Sequence, residues 1–499
     1  MFVTAVRIHG GSSPDDEPAP PDRQVDEAIA KLDKLVDELM TRTGVPGMAV
    51  AVVRGDQKVY AKGFGTRQVG TQSPVDADTV FQLASVSKSL GGTLVAQQVG
   101  LGRVQWDTRL RSVLPWFALS DALASDEVTI ADMYSHRSGL PLHAGDRLED
   151  MGYDRQQVLE RLRYQPLDSF RDTYNYTNFG MTAGAEAVCV AVGADWATLS
   201  ETALYQPLGM TRTSSRFADF MARPNRAVAH VEQDGQWVQS PLVRDPDAQS
   251  AAGGASSSVN DMANWLAMLL GKGVNAGRRV IDAEALAAAV SPQMLISPAH
   301  DGRPTSYYGF GFNVGSTPNG RYAYDHSGAF ASGAGTHFKV VPSTGIAFIA
   351  LTNGYPLGIP ETLGAQFFDL VEVGSIQQDW YSIFNPFFLE ELKPEGSLVG
   401  VPPPVNPAPP RPLNEYTGAY ANAYHGPALV SLENGTLVLT IGPAPVRRPL
   451  TYWGGDAFTF TLHNDNATPG TISKATFAGN RLTLEYYDRE HLGTFVRTP

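Results

Sequence analysis

The chain has 499 residues, of which 43% are apolar and 10% are aromatic. This length and composition exclude a wholly disordered chain and suffice for one large domain and one smaller domain. The net charge of -13 is spread along the sequence without a basic block, which excludes a surface that follows nucleic-acid phosphates. No apolar run approaches the ~18 residues of a membrane span. We therefore expect no nucleic-acid partner and no membrane-spanning segment.

The start of the chain is polar and rich in proline. Residues 1–23 contain only a short apolar stretch and lack the apolar core of a secretory signal. We therefore expect a flexible tail over 1–23 and a cytoplasmic protein. The alternative is an exported protein whose start has been trimmed. The single cysteine, Cys189, lies in an apolar run and is expected to be a small buried residue rather than a reactive thiol.

The residues that follow show helical and strand patterns. Apolar side chains recur at helical spacing from Val25 to Leu39, and Gly44 ends the pattern, which predicts an amphipathic helix. Two apolar runs separated by a polar turn predict a β-hairpin over 48–64. After a helical middle we predict strands at 309–314, 322–325, 335–341 and 346–351, followed by a helix at 361–373.

Strands at both ends of this segment, with helices between them, predict an α+β fold. We expect an antiparallel sheet flanked by helices, with an all-helical subdomain and a ligand cleft at the junction. Residues 401–412 include seven prolines, which predict a stiff linker. The short alternating runs beyond it predict a small antiparallel β-barrel, with Asn434 and Gly435 as one of its turns. The predicted limits are 24–394 for the first domain, 395–412 for the linker and 413–499 for the barrel.

The sharpest local feature is Ser85-Val86-Ser87-Lys88, the one S-x-x-K in the sequence. Residues three apart share a helical face, so the hydroxyl of Ser85 and the amine of Lys88 can meet at the start of a helix. An amine that loses its proton can take the hydroxyl proton and make serine a nucleophile. The amides of a helix N-terminus also supply donors where negative charge develops. A motif this short also occurs by chance.

Two further motifs follow. Tyr176 and Asn178 form a Y-x-N where a loop meets a helix, and there a phenol can relay protons while an amide holds an amine and a substrate. The structural alternative is an aromatic turn with Asn178 as a helix cap. His326-Ser327-Gly328 opens a stretch rich in glycine and alanine, where His326 can line a cleft and Gly328 allows close approach to the backbone. Its alternative is a solvated histidine at a strand end.

In this order, S-x-x-K, Y-x-N and H-x-G resemble the active-site motifs of the serine β-lactamase and penicillin-binding-protein superfamily, in its class C-like branch. Residues 128–141 are similar to the family's T-I-x-D-L-L-x-H-x-S-G-L-P stretch, 206–213 to its P-L-G-M-x-x-T, and 252–263 to its A-G-G-x-x-S-x-x-D-M-A. The similarity extends over residues 25–373. Residues 416–420 resemble the start of a small, lipocalin-like β-domain that some relatives append.

The resemblance implies a role for each matched side chain. Ser85 would be the acyl-accepting nucleophile, and Lys88 and Tyr176 would share the duties of general base and general acid. Asn178 would orient Lys88 and the substrate. His326 would face the leaving group or a substrate carboxylate.

The resemblance also implies that the amides of Ser85 and Ala329 form the oxyanion hole, with Gly328 beside them as a substrate-binding residue. The third motif departs from the family pattern, because His326 stands where classical β-lactamases have the lysine of K-T-G. A histidine is neutral much of the time near pH 7, so this change argues against antibiotic hydrolysis. It fits family members that act as esterases, D-amino-acid peptidases or amidases, or acyl-transferring cyclases.

We therefore expect a serine hydrolase that forms an acyl-enzyme on Ser85 and cleaves a small-molecule ester or a small peptide or amide bond. Two alternatives stay open: a penicillin-recognising protein that is acylated and stalls, and a function carried by the last domain. The sequence contains no metal-binding histidine motif and no phosphate- or dinucleotide-binding glycine loop, so no metal or cofactor is implied. His136 and Arg137 are expected to fix a turn. The oligomeric state is not determined by these patterns.

Overall fold

The computed structural model describes residues 18–300 and 304–499. The predicted tail before residue 18 lies outside them, and the first helix begins at Asp22. The helices in chain order are α1 Asp22–Ala30, α2 Leu32–Thr43, α3 Ser87–Gly100, α4 Leu110–Val113, α5 Ala122–Glu127, α6 Ile130–Tyr134, α7 Asp146–Glu149, α8 Arg155–Arg161, α9 Asn178–Val192, α10 Trp196–Ser200, α11 Phe217–Ala222, α12 Ser250–Gly253, α13 Val259–Leu270, α14 Ala283–Ala289, α15 Ile359–Val373 and α16 Trp380–Glu391.

The strands belong to a large sheet, a barrel and short two-stranded ribbons. In chain order they are β1 Gly47–Arg54, β2 Gln57–Gly65, β3 Phe81–Gln82, β4 His230–Gln233, β5 Gln236–Gln239, β6 Ser256–Ser257, β7 Val274–Asn275, β8 Arg278–Arg279, β9 Met294–Ser297, β10 Ser306–Tyr308, β11 Asn313–Ser316, β12 Tyr322–Phe330, β13 Ala334–Val341, β14 Ile346–Thr352, β15 Gly418–Asn422, β16 Gly426–Glu433, β17 Thr436–Ile441, β18 Val446–Gly454, β19 Ala457–Thr461, β20 Ile472–Ala478, β21 Arg481–Leu484 and β22 Thr494–Arg497.

Within the described residues, eight strands form one antiparallel sheet in the order β2-β1-β14-β13-β12-β11-β10-β9. The predicted hairpin is β1 and β2, and β14 pairs with β1 so that Val52 lies opposite Phe348. Helices α3 to α14 are inserted in the chain between β2 and β9. The predicted α+β architecture with a helical insertion is therefore confirmed. No helix of the described segments is both long enough and apolar enough to cross a bilayer.

Three elements differ from the sequence-based prediction. The helix predicted from Val25 to Leu39 is divided at Lys31, whose amide bonds to the carbonyl of Ala28 only three residues back. The strand predicted over 309–314 is interrupted between β10 and β11, because Gly311 has a φ of +88°, which an extended chain does not adopt. Helix α16 was not predicted, since Pro386 lies inside it and proline disfavours helix interiors.

The covering of β1 on both faces of the sheet explains its unbroken run of apolar residues. Met48, Val50 and Val52 pack on the side of the sheet that α1, α2 and α15 cover, whereas the residues between them pack on the side of α3 and α13. These positions are 0% exposed on both faces. A strand that is buried on both sides loses the polar alternation of a half-exposed strand.

The C-terminal domain is a closed antiparallel barrel formed by β15 to β22. Asn434 and Gly435 connect β16 to β17 with φ angles of 48° and 82°, the left-handed conformation that a two-residue hairpin turn requires. Aromatic rings fill the interior, with those of Tyr416 and Phe477 4.8 Å apart. The predicted small barrel is confirmed. The proline-rich segment at 401–412 contacts it where Gly455 donates to the carbonyl of Ala408 over 2.7 Å, and the exact domain limits stay a prediction.

The barrel packs directly against one loop of the first domain. This loop, residues 143–153, contains α7 and is called the docking loop below. The hydroxyl of Tyr153 donates to the carbonyl of His425 over 2.9 Å, and Arg147 donates to the carbonyl of Tyr486. The two domains therefore share a hydrogen-bonded interface beside the helical insertion.

A buried ionic cluster lies at this interface. Arg244 forms an ion pair with Glu149 and lies 3.7 Å from Asp150 and 3.7 Å from Asp465 of the barrel. Burial raises the pKa of Glu149 to about 7 and that of Asp150 to about 6, although Arg244 opposes both shifts. Three carboxyl groups thus share one guanidinium in a site where charges are poorly solvated.

We predict that Glu149 makes the stability of the fold depend on pH. A carboxyl whose pKa is raised from 4.5 to about 7 on folding stabilises the protein fully below 4.5, and this contribution is lost as the pH rises through about 7. The Tm of Glu149→Gln, relative to that of the unsubstituted protein, is therefore expected to increase from about pH 5 to about pH 8. Calorimetry at both pH values checks this, with the exposed Glu38→Gln as control. A Tm difference that is the same at both values would contradict it.

Candidate active site

Ser85 lies where β3 leads into the buried helix α3. Ala84 just before it adopts a φ of 46°, a left-handed conformation that is rare for residues other than glycine and is often found at functional sites. This turn leaves Ser85 partly exposed at the start of α3, whose residues from Ser87 to Gln98 are buried. The serine hydroxyl is therefore accessible to solvent, just before the first residue of α3.

The amine of Lys88 lies beside this hydroxyl. Lys88 Nζ donates to Ser85 Oγ over 3.0 Å, to Asn178 Oδ1 over 2.7 Å and to the carbonyl of Ala252 over 2.9 Å. The side chain is 0% exposed. Burial lowers the pKa of Lys88 to about 7, and the charge of Asp146 partly opposes this shift. A substantial fraction of the amine is therefore neutral near pH 7 and able to take a proton.

Asn178 connects this lysine to a carboxylate that the motifs did not reveal. Its Nδ2 donates to Asp146 Oδ2 over 2.9 Å, while its Oδ1 accepts from Lys88. His143 Nδ1 lies 3.1 Å from the same carboxylate oxygen. The alternative of Asn178 as a helix cap does not hold, because Asn178 is the first residue inside α9 and the N-cap is Thr177.

Tyr176 covers the lysine from the other side. Lys88 Nζ lies 4.5 Å from the centre of its ring, within the range of a cation–π contact. Burial raises the pKa of Tyr176, and a hydrogen bond with the side chain of Ser85 partly opposes that shift. The phenol therefore keeps its proton near pH 7, next to the serine hydroxyl.

His326 lies near this group but behind the cavity wall. It is 4% exposed, and its Nδ1 donates to the carbonyl of Ser327 over 2.6 Å. This tautomer leaves Nε2 as an acceptor for the hydroxyl of Tyr308, 2.9 Å away. Burial, with the charge of Lys88, lowers the pKa of His326 to about 4, so the ring is neutral at pH 7. Both ring nitrogens have protein partners, and the expected contact with substrate stays a prediction.

Gly328 allows strand β12 to pass close to the nucleophile. A Cβ at this position would lie 2.3 Å from the carbonyl oxygen of Leu83 and 2.9 Å from the amide nitrogen of Ser85. A side chain larger than hydrogen would therefore push the strand away from Ser85. The close approach places Ala329, the next residue, on the wall of the same cavity as Ser85.

A cavity of about 420 Å³ opens above Ser85, between the two domains. Its first-domain wall includes the predicted residues Ser85, Tyr176, Asn178, Gly328 and Ala329. Its other wall comes from the barrel and includes Tyr424, His425, Asp465, Asn466 and Tyr487. The structure therefore brings the five predicted wall residues together, with Lys88 buried beneath them.

Several functional contacts escaped the sequence reasoning. Asp146 and His143 belong to no recognised motif, and their spacing of three residues around Gly145 is the one local sign that they share a site. Tyr308 is an ordinary aromatic residue of a strand pattern. His136 fixes a turn as expected, since it has a φ of 57° and its Nδ1 accepts from the amide of Thr177 over 3.2 Å.

Comparison with known proteins agrees with this geometry. A model of the Beta-lactamase family matches residues 32–364. The chain belongs to the Beta-lactamase family. The predicted superfamily is thereby confirmed, and a second family model, described as a domain of unknown function (DUF3471), matches residues 402–483. That second match covers most of the C-terminal barrel.

Individual relatives match over most of this chain. Penicillin-binding protein 4 of Amycolatopsis lactamdurans is 31% identical over 391 residues, which are 76% of this chain and 93% of that protein. The unguisins hydrolase ungD of Aspergillus violaceofuscus is 25% identical over 98% of this chain and 92% of its own. The octameric penicillin-binding protein homologue from Pyrococcus abyssi superposes with a TM-score of 0.61 at 18% identity, covering 94% of this chain and 100% of that chain. At that identity the superposition supports the fold alone.

We predict that Asn178→Ala slows acylation of Ser85 by at least about tenfold, because the substitution leaves a buried amine without its 2.7 Å acceptor. The rate of p-nitrophenolate release from p-nitrophenyl acetate measures this effect. Asn175→Ala is the matched control, since Asn175 bonds instead to Asp168 on the surface. Equal rates for the two variants would contradict a role for the Asn178 amide.

Proposed function

We propose that this Beta-lactamase family member is a serine hydrolase that forms an acyl-enzyme on Ser85 and cleaves a carboxylic ester or a small peptide or amide bond. The observation that carries the proposal is the buried amine of Lys88, 3.0 Å from an accessible serine hydroxyl. Burial lowers the pKa of this amine to about 7, which matches the requirement for a general base near neutral pH. The names of two relatives, a penicillin-binding protein and a hydrolase, support the same class of chemistry.

In the acylation step, neutral Lys88 accepts the proton of Ser85 as Oγ attacks the substrate carbonyl carbon. The carbonyl oxygen takes up the negative charge of the tetrahedral intermediate, and amide donors beside Ser85 and Ala329 stabilise it. One such donor contributes on the order of 3 kcal/mol in comparable sites. When the intermediate collapses, the bond to the leaving group breaks and an ester forms on Ser85.

Tyr176 is suited to the transfer of the proton to the leaving group. Its phenol is protonated at neutral pH because burial raises its pKa. The proton passes from the Lys88 ammonium to the leaving oxygen or nitrogen, directly or through this phenol. A water molecule then attacks the acyl-enzyme, and the same groups return Ser85 to its starting state.

The third motif supports a neutral substrate more than a β-lactam carboxylate. His326 has a pKa lowered to about 4 by burial, so it supplies no positive charge at neutral pH. Its Nε2 is also occupied by Tyr308. The third motif therefore supplies no electrostatic preference for the anionic end of a penicillin.

We predict that Ser85 carries the covalent adduct. Intact mass spectrometry after incubation with p-nitrophenyl acetate, a D-alanyl amide and a cephalosporin is expected to show acylation that Ser85→Ala abolishes. Ser89→Ala is the matched control, because Ser89 is a buried serine of the adjoining helix α3 that bonds to the carbonyl of Gly311. An adduct that survives in Ser85→Ala would contradict the proposal. A stable adduct with no product beyond one equivalent would assign the stalled, penicillin-binding alternative.

We also predict that kcat/KM rises with pH through about 7. Below that value Lys88 carries its proton and cannot accept the one from Ser85, whereas above it the neutral amine predominates. A pH–rate profile with p-nitrophenyl acetate measures this limb. A profile that stays flat between about pH 5 and about pH 9 would remove Lys88 as the base.

A further inference from the structure

Asp146 is a carboxylate of the catalytic centre that no motif of the sequence identifies. It is 5% exposed and is the first residue of α7 in the docking loop. Its Oδ2 accepts from Asn178 Nδ2 over 2.9 Å and lies 3.1 Å from His143 Nδ1. Asp146 therefore contacts Asn178, which in turn contacts Lys88.

This contact fixes the orientation of the Asn178 amide. An ionised carboxylate can only accept hydrogen bonds, so the amide must turn its nitrogen toward Asp146. Its oxygen then faces Lys88, where it accepts from Nζ over 2.7 Å. With a neutral or missing partner at position 146, only the hydrogen bond from Lys88 would favour this orientation of the amide. The carboxylate thus acts on Lys88 through Asn178.

The docking loop is held partly by the barrel. Helix α7 has four residues and follows Gly145, whose φ is +95°, and a single helical turn is not stable by itself. The amide of Gly145 donates to the hydroxyl of Tyr424 over 3.1 Å. Asn466 of the barrel donates to Asp150 Oδ1 over 3.0 Å. Barrel side chains therefore hold the loop on both sides of Asp146.

We propose that Asp146 is a positioning residue that orients Asn178 toward Lys88, and that the C-terminal barrel keeps Asp146 in place. The inference rests on the proposed acyl-enzyme chemistry at Ser85. It gives the barrel a part in catalysis that does not require the barrel to touch the substrate. The docking loop links the two, because the same short segment carries Asp146 and the contacts to Tyr424 and Asn466.

The charge of Asp146 supplies a readout that a purely structural role would not change. This charge raises the pKa of Lys88 against the larger effect of burial. Its removal is expected to lower that pKa, so a larger share of the amine is neutral at a given pH. The nearby imidazoles of His136 and His326 have pKa values that burial lowers, so they do not change charge near pH 7.

The first test is the pH–rate profile of Asp146→Asn with p-nitrophenyl acetate. The acidic limb of kcat/KM is expected to move to lower pH by about one unit, as for the loss of a neighbouring opposite charge. Asp261→Asn is the matched control, because it removes a buried carboxylate of α13 that contacts Thr213 and not Asn178. Its limb is expected to stay in place. Equal limbs for the two variants would overturn the proposal.

His143 needs a control of its own, since its ring contacts the same carboxylate. The comparison is therefore repeated in a His143→Gln background, where the shift caused by Asp146→Asn is expected to persist. If the shift disappears in that background, His143 and not Lys88 is the group that Asp146 influences, and the proposal fails.

The second test removes one barrel contact. Tyr424→Phe deletes the acceptor of the Gly145 amide and is expected to lower kcat/KM by at least about fivefold, with the acidic limb moving in the same direction as in Asp146→Asn. Tyr420→Phe is the matched control, because Tyr420 is an equally buried barrel tyrosine whose hydroxyl donates to the carbonyl of Tyr416 within the barrel. Indistinguishable profiles for the two variants would overturn the part assigned to the barrel.

Failure of this inference can be separated from failure of the proposed function. Intact mass spectrometry of each variant with the same ester reports whether Ser85 is acylated. Acylated variants with unchanged pH profiles would overturn the role of Asp146 alone. Absence of any Ser85 adduct in the unsubstituted protein would overturn the acyl-enzyme itself.

Discussion

The structure depends on one buried amine. Lys88 has no exposed surface and donates to three oxygens, those of Ser85, Asn178 and Ala252. Burial disfavours its charged form and brings its pKa to about 7, while the charge of the nearby Asp146 carboxylate opposes this shift. The lowered pKa is what allows the amine to act as a base, because a fully solvated lysine would hold its proton too tightly to activate a serine.

Three parts of the fold meet to maintain this environment. A short helical turn over Ala84–Val86 carries Ser85 and leads into helix α3, which carries Lys88. Helix α9 brings in Asn178, and β12 passes close enough to place Ala329 on the cavity wall only because Gly328 has no side chain. The barrel closes the opposite wall and holds the docking loop. The cavity between the domains is therefore a product of both, and the ionic cluster around Arg244 couples their contact to pH.

Much of the fold was predictable because the spacing of apolar residues along the chain indicates which side chains are buried. The hairpin of β1 and β2, the later sheet strands and the turn at Asn434 follow from apolar periodicity and from turn chemistry, which act over a few residues. The failures have local causes as well. The positive φ of Gly311 interrupts a predicted strand. Helix α16 was not predicted because it contains Pro386.

The sequence by itself determined the order of the three motifs, and with them the serine, the lysine, the tyrosine and the asparagine that the structure brings together. A spacing of three residues places Ser85 and Lys88 side by side once a helical turn forms at this position. Only the tertiary structure decided the burial that lowers the pKa of Lys88. It also decided that His326 bonds to Tyr308 and that Asp146 bonds to Asn178. These are contacts between residues far apart in the chain, and desolvation is a property of the whole packed domain, so no short pattern of residues encodes them.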